Sequence, residues 1–234
     1  MGGRKQDARH NVRVRSAASA DDSDVRTQLR APSSVFVHIV DDDGAVREAL
    51  GDLLRSMDYQ VILYASASDF LKVELPDAPA CLVLDVRLPG TSGLDLQAHL
   101  ASINVGLPVI LMTGHGDIPM TVRAMKLGAV DFLTKPIRDQ DLLDAVAAAI
   151  LRDQGRREDT AQIALLWEKY ALLTARERQV MAFVASGFMN KQIANELSIS
   201  EVTVKMHRGG VMRKLGAKSV ASLARIAEAL DIGK

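Results

Sequence analysis

The chain has 234 residues, 48% of them hydrophobic and only 4% aromatic; that length allows one or two domains, and the aliphatic content excludes a chain disordered throughout. The formal charge of zero hides a strong asymmetry: residues 1–34 carry a net +3, residues 35–150 set 16 acidic against 8 basic side chains for a net −8, and residues 151–234 carry +5. An acidic middle joined to a basic end points to two domains, one suited to a metal ion and one to a polyanion.

Residues 1–34 mix Arg, Asp, Ser and Ala without apolar periodicity, which reads as a disordered leader or a misplaced start. They lack the apolar core of a signal peptide. From Val35 on, short β-rich runs at 35–40, 60–64, 81–84, 108–112 and 130–133 predict five strands. Between the first two, Val46, Ala49, Leu50, Leu53, Leu54 and Met57 recur at i, i+3, i+4, i+7, i+8 and i+11, the spacing of an amphipathic helix. Further helices are predicted at 67–73, 93–103, 118–127 and 139–152; Pro119 falls in the first turn of 118–127 and Gly128 just beyond its end. Strand–helix alternation of this kind implies a doubly wound α/β fold, a five-stranded parallel sheet covered on both faces. The single cysteine, Cys81, opens an apolar run and is expected to be a buried, inert thiol in a reducing compartment.

Residues 153–172 are charged and then apolar at Ile163, Leu166, Trp167 and Tyr170, a helical linker that either continues the preceding helix or stands apart. Beyond it only helical patterns follow. Thr174-Ala175-Arg176-Glu177 is a capping box opening a helix with Val180, Met181 and Val184, which Gly187 ends. Asn190 is placed to cap a second helix with Ile193 and Leu197, and Ser200 a third with Val204, Val211 and Leu215; a last helix spans about 219–230. The short connection Ser198-Ile199 makes the middle pair a helix–turn–helix. The expected organisation is a tail at 1–34, an α/β domain at 35–152, a linker at 153–172 and an all-α domain at 173–234. No run approaches the roughly 18 uncharged apolar residues of a membrane span, so a soluble, cytoplasmic protein without membrane contact is expected.

In open α/β sheets ligands bind beyond the carboxyl ends of the strands, where the strand order reverses. There the first predicted strand is followed by Asp41, Asp42 and Asp43 and the third by Asp85; the fourth supplies Thr113 and the fifth Lys135-Pro136. Carboxylates gathered at one edge repel and raise one another's pKa unless a cation intervenes. Mg2+, a hard ion that takes carboxylate, water and phosphate oxygens, suits them. The chemistry this set supports is phosphoryl transfer, with the metal-held Asp85 as nucleophile, Lys135 pairing with phosphoryl oxygens and Thr113 hydrogen-bonding to one of them. Taken singly each residue has a plainer reading: an Asp after a strand caps a turn or a helix, and Lys-Pro marks a turn. Their joint placement carries the inference.

Val40-Asp41-Asp42, Leu84-Asp85-Val86-Arg87-Leu88-Pro89-Gly90, Thr113-Gly114-His115-Gly116-Asp117 and Lys135-Pro136 make residues 35–150 resemble the receiver domain of two-component response regulators, a CheY-like, flavodoxin-like fold. The run after Thr113, through Met120, narrows the resemblance to the FixJ-like branch. It implies strand order 2-1-3-4-5 and Asp85 as the phosphoacceptor. It also implies a Mg2+ site of Asp41, Asp42, Asp85 and the Arg87 backbone carbonyl, a switch made by Thr113 and an inward-turning Phe132, and a cis Lys135–Pro136 peptide. Arg87 and His115, two residues beyond Asp85 and Thr113, stand where receivers tune phosphoryl lifetime. His10, His38, His99 and His207 show no metal-ligand spacing.

On a wheel of about 100° per residue, the third helix of the basic domain gathers Val204, Val211 and Leu215 on one side and Met206, Gly209 and Arg213 on the other, with Lys205 on the flank. Such a helix suits the DNA major groove, although a solvated basic face on a helical bundle has the same pattern. Leu173-Thr174-Ala175-Arg176-Glu177, Asn190-Lys191-Gln192-Ile193-Ala194 and Thr203-Val204-Lys205-Met206-His207-Arg208 then resemble the LuxR-type (NarL/FixJ-type) DNA-binding domain over residues 173–234. The resemblance puts Lys205 and Met206 at base edges and Lys191 and Thr203 at phosphates. Arg208 is expected on a phosphate or a partner within the domain, His207 at the domain edge, and Arg213 among the outward DNA contacts. Gly209-Gly210 is out of place inside a helix, where each Gly costs about 1 kcal/mol against Ala: either the backbone approaches DNA closely or the helix firms up on binding.

These readings make the chain a phosphorylation-gated transcription regulator. A sensor histidine kinase phosphorylates Asp85, the chain pairs as a homodimer, and it binds promoter DNA and engages RNA polymerase. Enzymatic activity beyond its own phosphoryl transfer and slow autodephosphorylation is not expected. Two other classes fit less of the chain. A metal-dependent phosphatase with Asp85 as covalent intermediate finds no further catalytic set in the C-terminal half. A DNA-binding protein whose receiver pairs without phosphate leaves Asp41, Asp42, Asp85, Thr113 and Lys135 unexplained.

Overall fold

Five aliphatic runs pair into one parallel sheet: β1 (Phe36–Val40), β2 (Gln60–Tyr64), β3 (Ala80–Asp85), β4 (Val109–Thr113) and β5 (Asp131–Thr134), in the order β2-β1-β3-β4-β5. The computed structural model describes residues 34–103, 105–114 and 118–232; the predicted leader apart from Ser34, and His115, lie outside them. Val40 sits beside Tyr64 on one side and Leu84 on the other, so the strands finish at a common edge. Asp85 and Thr113 close β3 and β4 rather than following them. The ladder carries them because hydrogen bonds continue past each: Val86 N–H donates to the Met112 carbonyl and Lys135 N–H to the Thr113 carbonyl, both at 2.8 Å.

Alternate residues of each strand point to opposite faces, and each face has its own cover. α1 (Gly44–Ser56) and α5 (Asp139–Ala171) pack Leu54, Leu142, Val146 and Ile150 against Val37, Ile39, Cys81, Val83, Ile110 and Met112. α2 (Ala67–Phe70), α3 (Gly93–Ser102) and α4 (Ile118–Lys126) pack Phe70, Leu96, Leu100 and Ala124 against Val40, Leu82, Leu84 and Leu111. The helix predicted at 67–73 stops at Phe70, because Leu71 and Val73 are exposed and offer no buried face on which to continue. Burial pushes the Cys81 thiol up to about 12, which keeps it protonated and unreactive.

The helix predicted at 139–152 and the linker at 153–172 are one 33-residue helix, about 50 Å long at the usual rise. Its partners change along its length. Leu142 to Ile150 pack on the sheet, residues 158–165 are exposed, and Leu166 and Tyr170 pack on the core of the C-terminal helices. Where it leaves the sheet, the buried Asp153 accepts the Ala80 N–H at 3.1 Å and guanidinium hydrogen bonds from Arg156 and Arg157. Burial works to raise this acid, but those bonds hold it below the usual carboxylate range. Among the described residues no helix is long and apolar enough to cross a membrane.

α6 (Ala175–Ala185), α7 (Asn190–Leu197), α8 (Glu201–Leu215) and α9 (Val220–Ala229) enclose Val180, Met181, Ile193, Val204, Val211, Leu215 and Leu223. The capping box forms as read: Glu177 N–H donates to Thr174 Oγ1 at 3.3 Å and Thr174 N–H to Glu177 Oε2 at 2.8 Å. Ser200 caps α8. α7 corrects the expectation for Asn190, which is its first helical residue; Met189 holds the cap position. Gln192 Oε1 accepts the Met189 N–H at 2.8 Å, leaving Asn190 Oδ1 to accept from Arg208 at 2.9 Å.

Gly210 has a packing reason that neither sequence-based reading of the Gly pair contains. A Cβ there would lie 2.5 Å from Glu177 Oε1, and Glu177 is itself fixed by Lys214, whose ammonium donates to its Oε2 at 2.7 Å and to the Leu172 carbonyl at 3.1 Å. A Cβ at Gly209 meets only open space. Gly209→Ala is therefore expected to stabilise the C-terminal helices by about 1 kcal/mol, and Gly210→Ala to destabilise them, in urea unfolding followed by circular dichroism. Equal gains for both would mean that Glu177 yields without cost.

His38 is fully buried in β1, packed against both the Tyr64 and Phe70 rings, with Nδ1 3.0 Å from the Tyr64 hydroxyl. Its Nε2 has no hydrogen-bond partner among the described residues. Burial lowers its pKa from 6.5 to about 4, so the folded chain favours the neutral ring. The stability this brings is present above the ordinary pKa and is lost as pH falls toward the folded one. Between pH 7 and pH 4 the loss should reach about 3 kcal/mol. His38→Gln, which does not titrate, should show a correspondingly shallower fall of its urea midpoint; parallel curves would place the acid sensitivity elsewhere.

Candidate functional site

The common strand edge gathers the residues read as one site. Asp41, directly after β1, is fully buried; its Oδ1 accepts the Asp43 N–H at 3.0 Å and its carbonyl accepts from Arg47 Nη1 at 2.6 Å. Asp85, at the end of β3, accepts the Arg87 N–H on Oδ1 at 3.0 Å. Lys135, just past β5, joins the two, its Nζ donating to Asp41 Oδ2 at 2.6 Å and to Asp85 Oδ2 at 2.7 Å. Asp42 is exposed, yet Asp41, Asp42 and Asp85 each bring an oxygen to a group lying within 4.8 Å of one another. Asp43 is diverted: its Oδ1 accepts the Ala45 and Val46 N–H groups and caps α1. Gly93, which opens α3, lies so close to the Asp85 carbonyl that a Cβ there would collide with it. The absence of that atom lets α3 start against the end of β3.

Burial pushes Asp41 above the usual carboxylate range, against the hydrogen bonds from Lys135 and Asp43. Burial opposes charging Lys135 as well, but its bonds to Asp41 and Asp85 outweigh that and raise its ammonium. Two carboxyl groups thus share one ammonium, with a third, that of Asp42, close to them. The donors are all hard oxygens and the cluster is short of positive charge, so the residues fit a divalent cation of the Mg2+ type.

The predicted switch residues lie on β4 and β5. Thr113 is fully buried, one residue past Met112, the β4 partner of Asp85. Phe132 is half-buried on β5 and packs against the α2–α3–α4 side of the sheet. The Lys135–Pro136 peptide is cis. The exposed Arg87 lines an open cleft with Asp42, Pro89 and Met120. Arg47 was not singled out in the sequence, because an arginine in the first turns of a surface helix has no distinguishing pattern.

On the C-terminal domain Lys191, Lys205, Met206 and Arg213 are exposed, as their reading requires. Thr203 is half-buried, with Oγ1 2.8 Å from Ser200 Oγ at the start of α8. His207 is half-buried, and Arg208 takes the intradomain option through Asn190. Val202, passed over in the sequence, is 78% exposed beside them.

Comparison with known proteins covers both domains. Residues 37–147 match the response regulator receiver domain, and residues 171–227 match the bacterial regulatory proteins of the luxR family. The chain is 53% identical over 202 residues to nodulation protein W of Bradyrhizobium diazoefficiens, covering 86% of this chain and 89% of that one. It is 47% identical to the response regulator protein TodT of Pseudomonas putida, over 83% of this chain and 86% of the other. The solved response regulator StyR superposes with a TM-score of 0.71 at 47% identity, covering 84% of this chain and 99% of StyR. Full-length FixJ from B. japonicum superposes at 0.51 and 38%, covering 84% and 97%.

The charge imbalance has a direct energetic test. Among the described residues Lys135 makes the only ion pairs of the Asp41 and Asp85 carboxylates. Lys135→Met is expected to cost about 3 kcal/mol in the presence of a chelator, and adding Asp41→Asn to recover much of that loss, both read as urea midpoints. A Lys135→Met midpoint equal to that of the native chain would show that the ammonium contributes nothing net.

Proposed function

The chain belongs to the two-component response regulators, in the FixJ-like branch that joins a receiver to a LuxR-type DNA-binding domain, and we propose that a phosphoryl group on Asp85 controls how it pairs and binds DNA. As a member of that family it is a transcription regulator rather than a classical enzyme. The observation that carries the proposal is the Lys135 ammonium held between Asp41 and Asp85 at 2.6 and 2.7 Å, with Asp42 close by.

In this reading residues 35–152 form the receiver, 153–172 the linker and 173–234 the DNA-binding domain. Asp41, Asp42, Asp85 and the Arg87 carbonyl would hold Mg2+, which when bound neutralises charge on the transferred group. An Asp85 oxygen attacks the phosphorus of a phosphohistidine on the sensor kinase; the P–N bond breaks, a P–O bond forms, and the kinase imidazole leaves with its electron pair and takes up a proton. Lys135 then pairs with a phosphoryl oxygen, and Thr113 donates its hydroxyl hydrogen to another. That movement draws Phe132 inward and reshapes the face of α4 and β5, through which two copies pair. The paired domains meet promoter DNA with Lys205 and Met206 at base edges and Lys191, Thr203 and Arg213 at phosphates, His207 and Arg208 supporting them from the domain itself. RNA polymerase is the further partner such a regulator needs, and a cytoplasmic location follows from the DNA it meets.

The test is sedimentation and DNA binding with Mg2+, before and after treatment with an acyl-phosphate donor. The native chain should take up one phosphoryl group, sediment as a dimer and bind DNA more tightly. Asp85→Asn should do none of these, whereas Lys205→Ala should keep the first two and lose affinity for DNA. Phosphate-dependent pairing by Asp85→Asn would refute the scheme.

A further inference from the structure

We propose that α8 selects its DNA site by apolar contact of Val202 and Met206 with the C5 methyl groups of thymine. The proposal rests on the DNA-binding reading and names what that surface reads. Opposite the buried Val204, Val211 and Leu215, the outward stripe of α8 consists of Val202, Met206, Gly209 and Arg213, at i, i+4, i+7 and i+11. Val202 is 78% exposed and Met206 64%, and neither is part of the domain core. Two uncovered aliphatic side chains, one turn apart at the start of a recognition helix, occupy the part of that helix which faces base edges.

This stripe has no hydrogen-bonding side chain before Arg213. A donor or acceptor on a base facing Val202 or Met206 would lose water without gaining a partner, which costs free energy. The major-groove feature that matches an aliphatic side chain is the thymine methyl, which A·T pairs present and G·C pairs lack. Gly209, next along the stripe, meets nothing within 4 Å even with a Cβ added, so no side chain holds the helix off the groove there. Lys205 on the flank keeps its place at a base edge beside this stripe, and Arg213 at the far end stands where phosphates run beside a groove-bound helix. Burying one methyl-sized group is worth about 0.8 kcal/mol, or roughly fourfold in affinity.

Duplexes are selected from a randomised pool with the full-length protein, treated with Mg2+ and an acyl-phosphate donor. Each thymine of a selected duplex is then replaced singly by uracil, which removes only the methyl. The expected result is one or two thymines per half-site at which uracil weakens native binding about fourfold. Val202→Ser should abolish that penalty at one of them and Met206→Ala at the other, while Val202→Thr, which keeps one methyl, should preserve the first. Uracil tolerated at every thymine, or the same penalties in Val202→Ser, would overturn the proposal and leave DNA binding standing. A pool that enriches no sequence would remove the DNA-binding reading, and the proposal with it.

Discussion

Two carboxyl groups bonded to one ammonium, with a third beside them, is the arrangement on which the receiver half is built. Asp41 is fully buried, and a buried acid survives only when its oxygens are bonded; here Asp43 N–H and Lys135 supply the bonds. That requirement reaches far into the fold. β1 and β3 must be neighbours for Asp41 and Asp85 to face one ammonium, and Lys135 must come from β5, which β4 separates from β3. At about 4.8 Å per strand spacing, Lys135 starts some two strands from Asp85, a reach suited to a long, flexible stem ending in a compact charge.

Much of this was legible because period and chemistry agree. The alternation of short apolar runs with helical patterns identified five strands in their places, and the acids, hydroxyl and lysine following four of them identified the edge that matters. What the pattern missed was decided by single atoms. Whether Asp85 closes its strand depends on one further backbone hydrogen bond. Asn190 looked like a cap because its side chain suits one, yet Gln192 takes that role from the helix interior and Asn190 serves Arg208. Asp153 was unreadable for a different reason: in sequence it is one more acid on a charged helix, and its importance lies in the Ala80 N–H, 73 residues away.

The glycine pair shows the same limit. Helix propensity marks Gly209 and Gly210 alike as weak points, but they face opposite surroundings. Gly210 lies under a carboxylate tied to Lys214 and, through Lys214, to the Leu172 carbonyl just beyond α5. The recognition helix is therefore seated against α6 and the end of α5 by one compact polar cluster. Gly209 faces outward, so the break in propensity there belongs to the surface and not to the packing.

Charge segregation raises the question of how the phosphoryl group proposed for Asp85 would act on the basic domain. Residues 35–150 carry −8 and residues 151–234 carry +5, so a direct electrostatic signal would be conceivable. Magnitudes decide against it. A phosphoryl group brings roughly two negative charges and removes one carboxylate charge, a net change of about one on a domain that is already strongly acidic. The exposed stretch 158–165 of α5 spans about 12 Å at the usual helical rise, longer than the screening length of about 8 Å at physiological ionic strength. Lys135, already between Asp41 and Asp85, absorbs much of the new charge where it arrives. Under the proposed function what would travel is shape: rearrangement of side chains packed at the strand ends, and pairing of whole molecules through the surface they remodel.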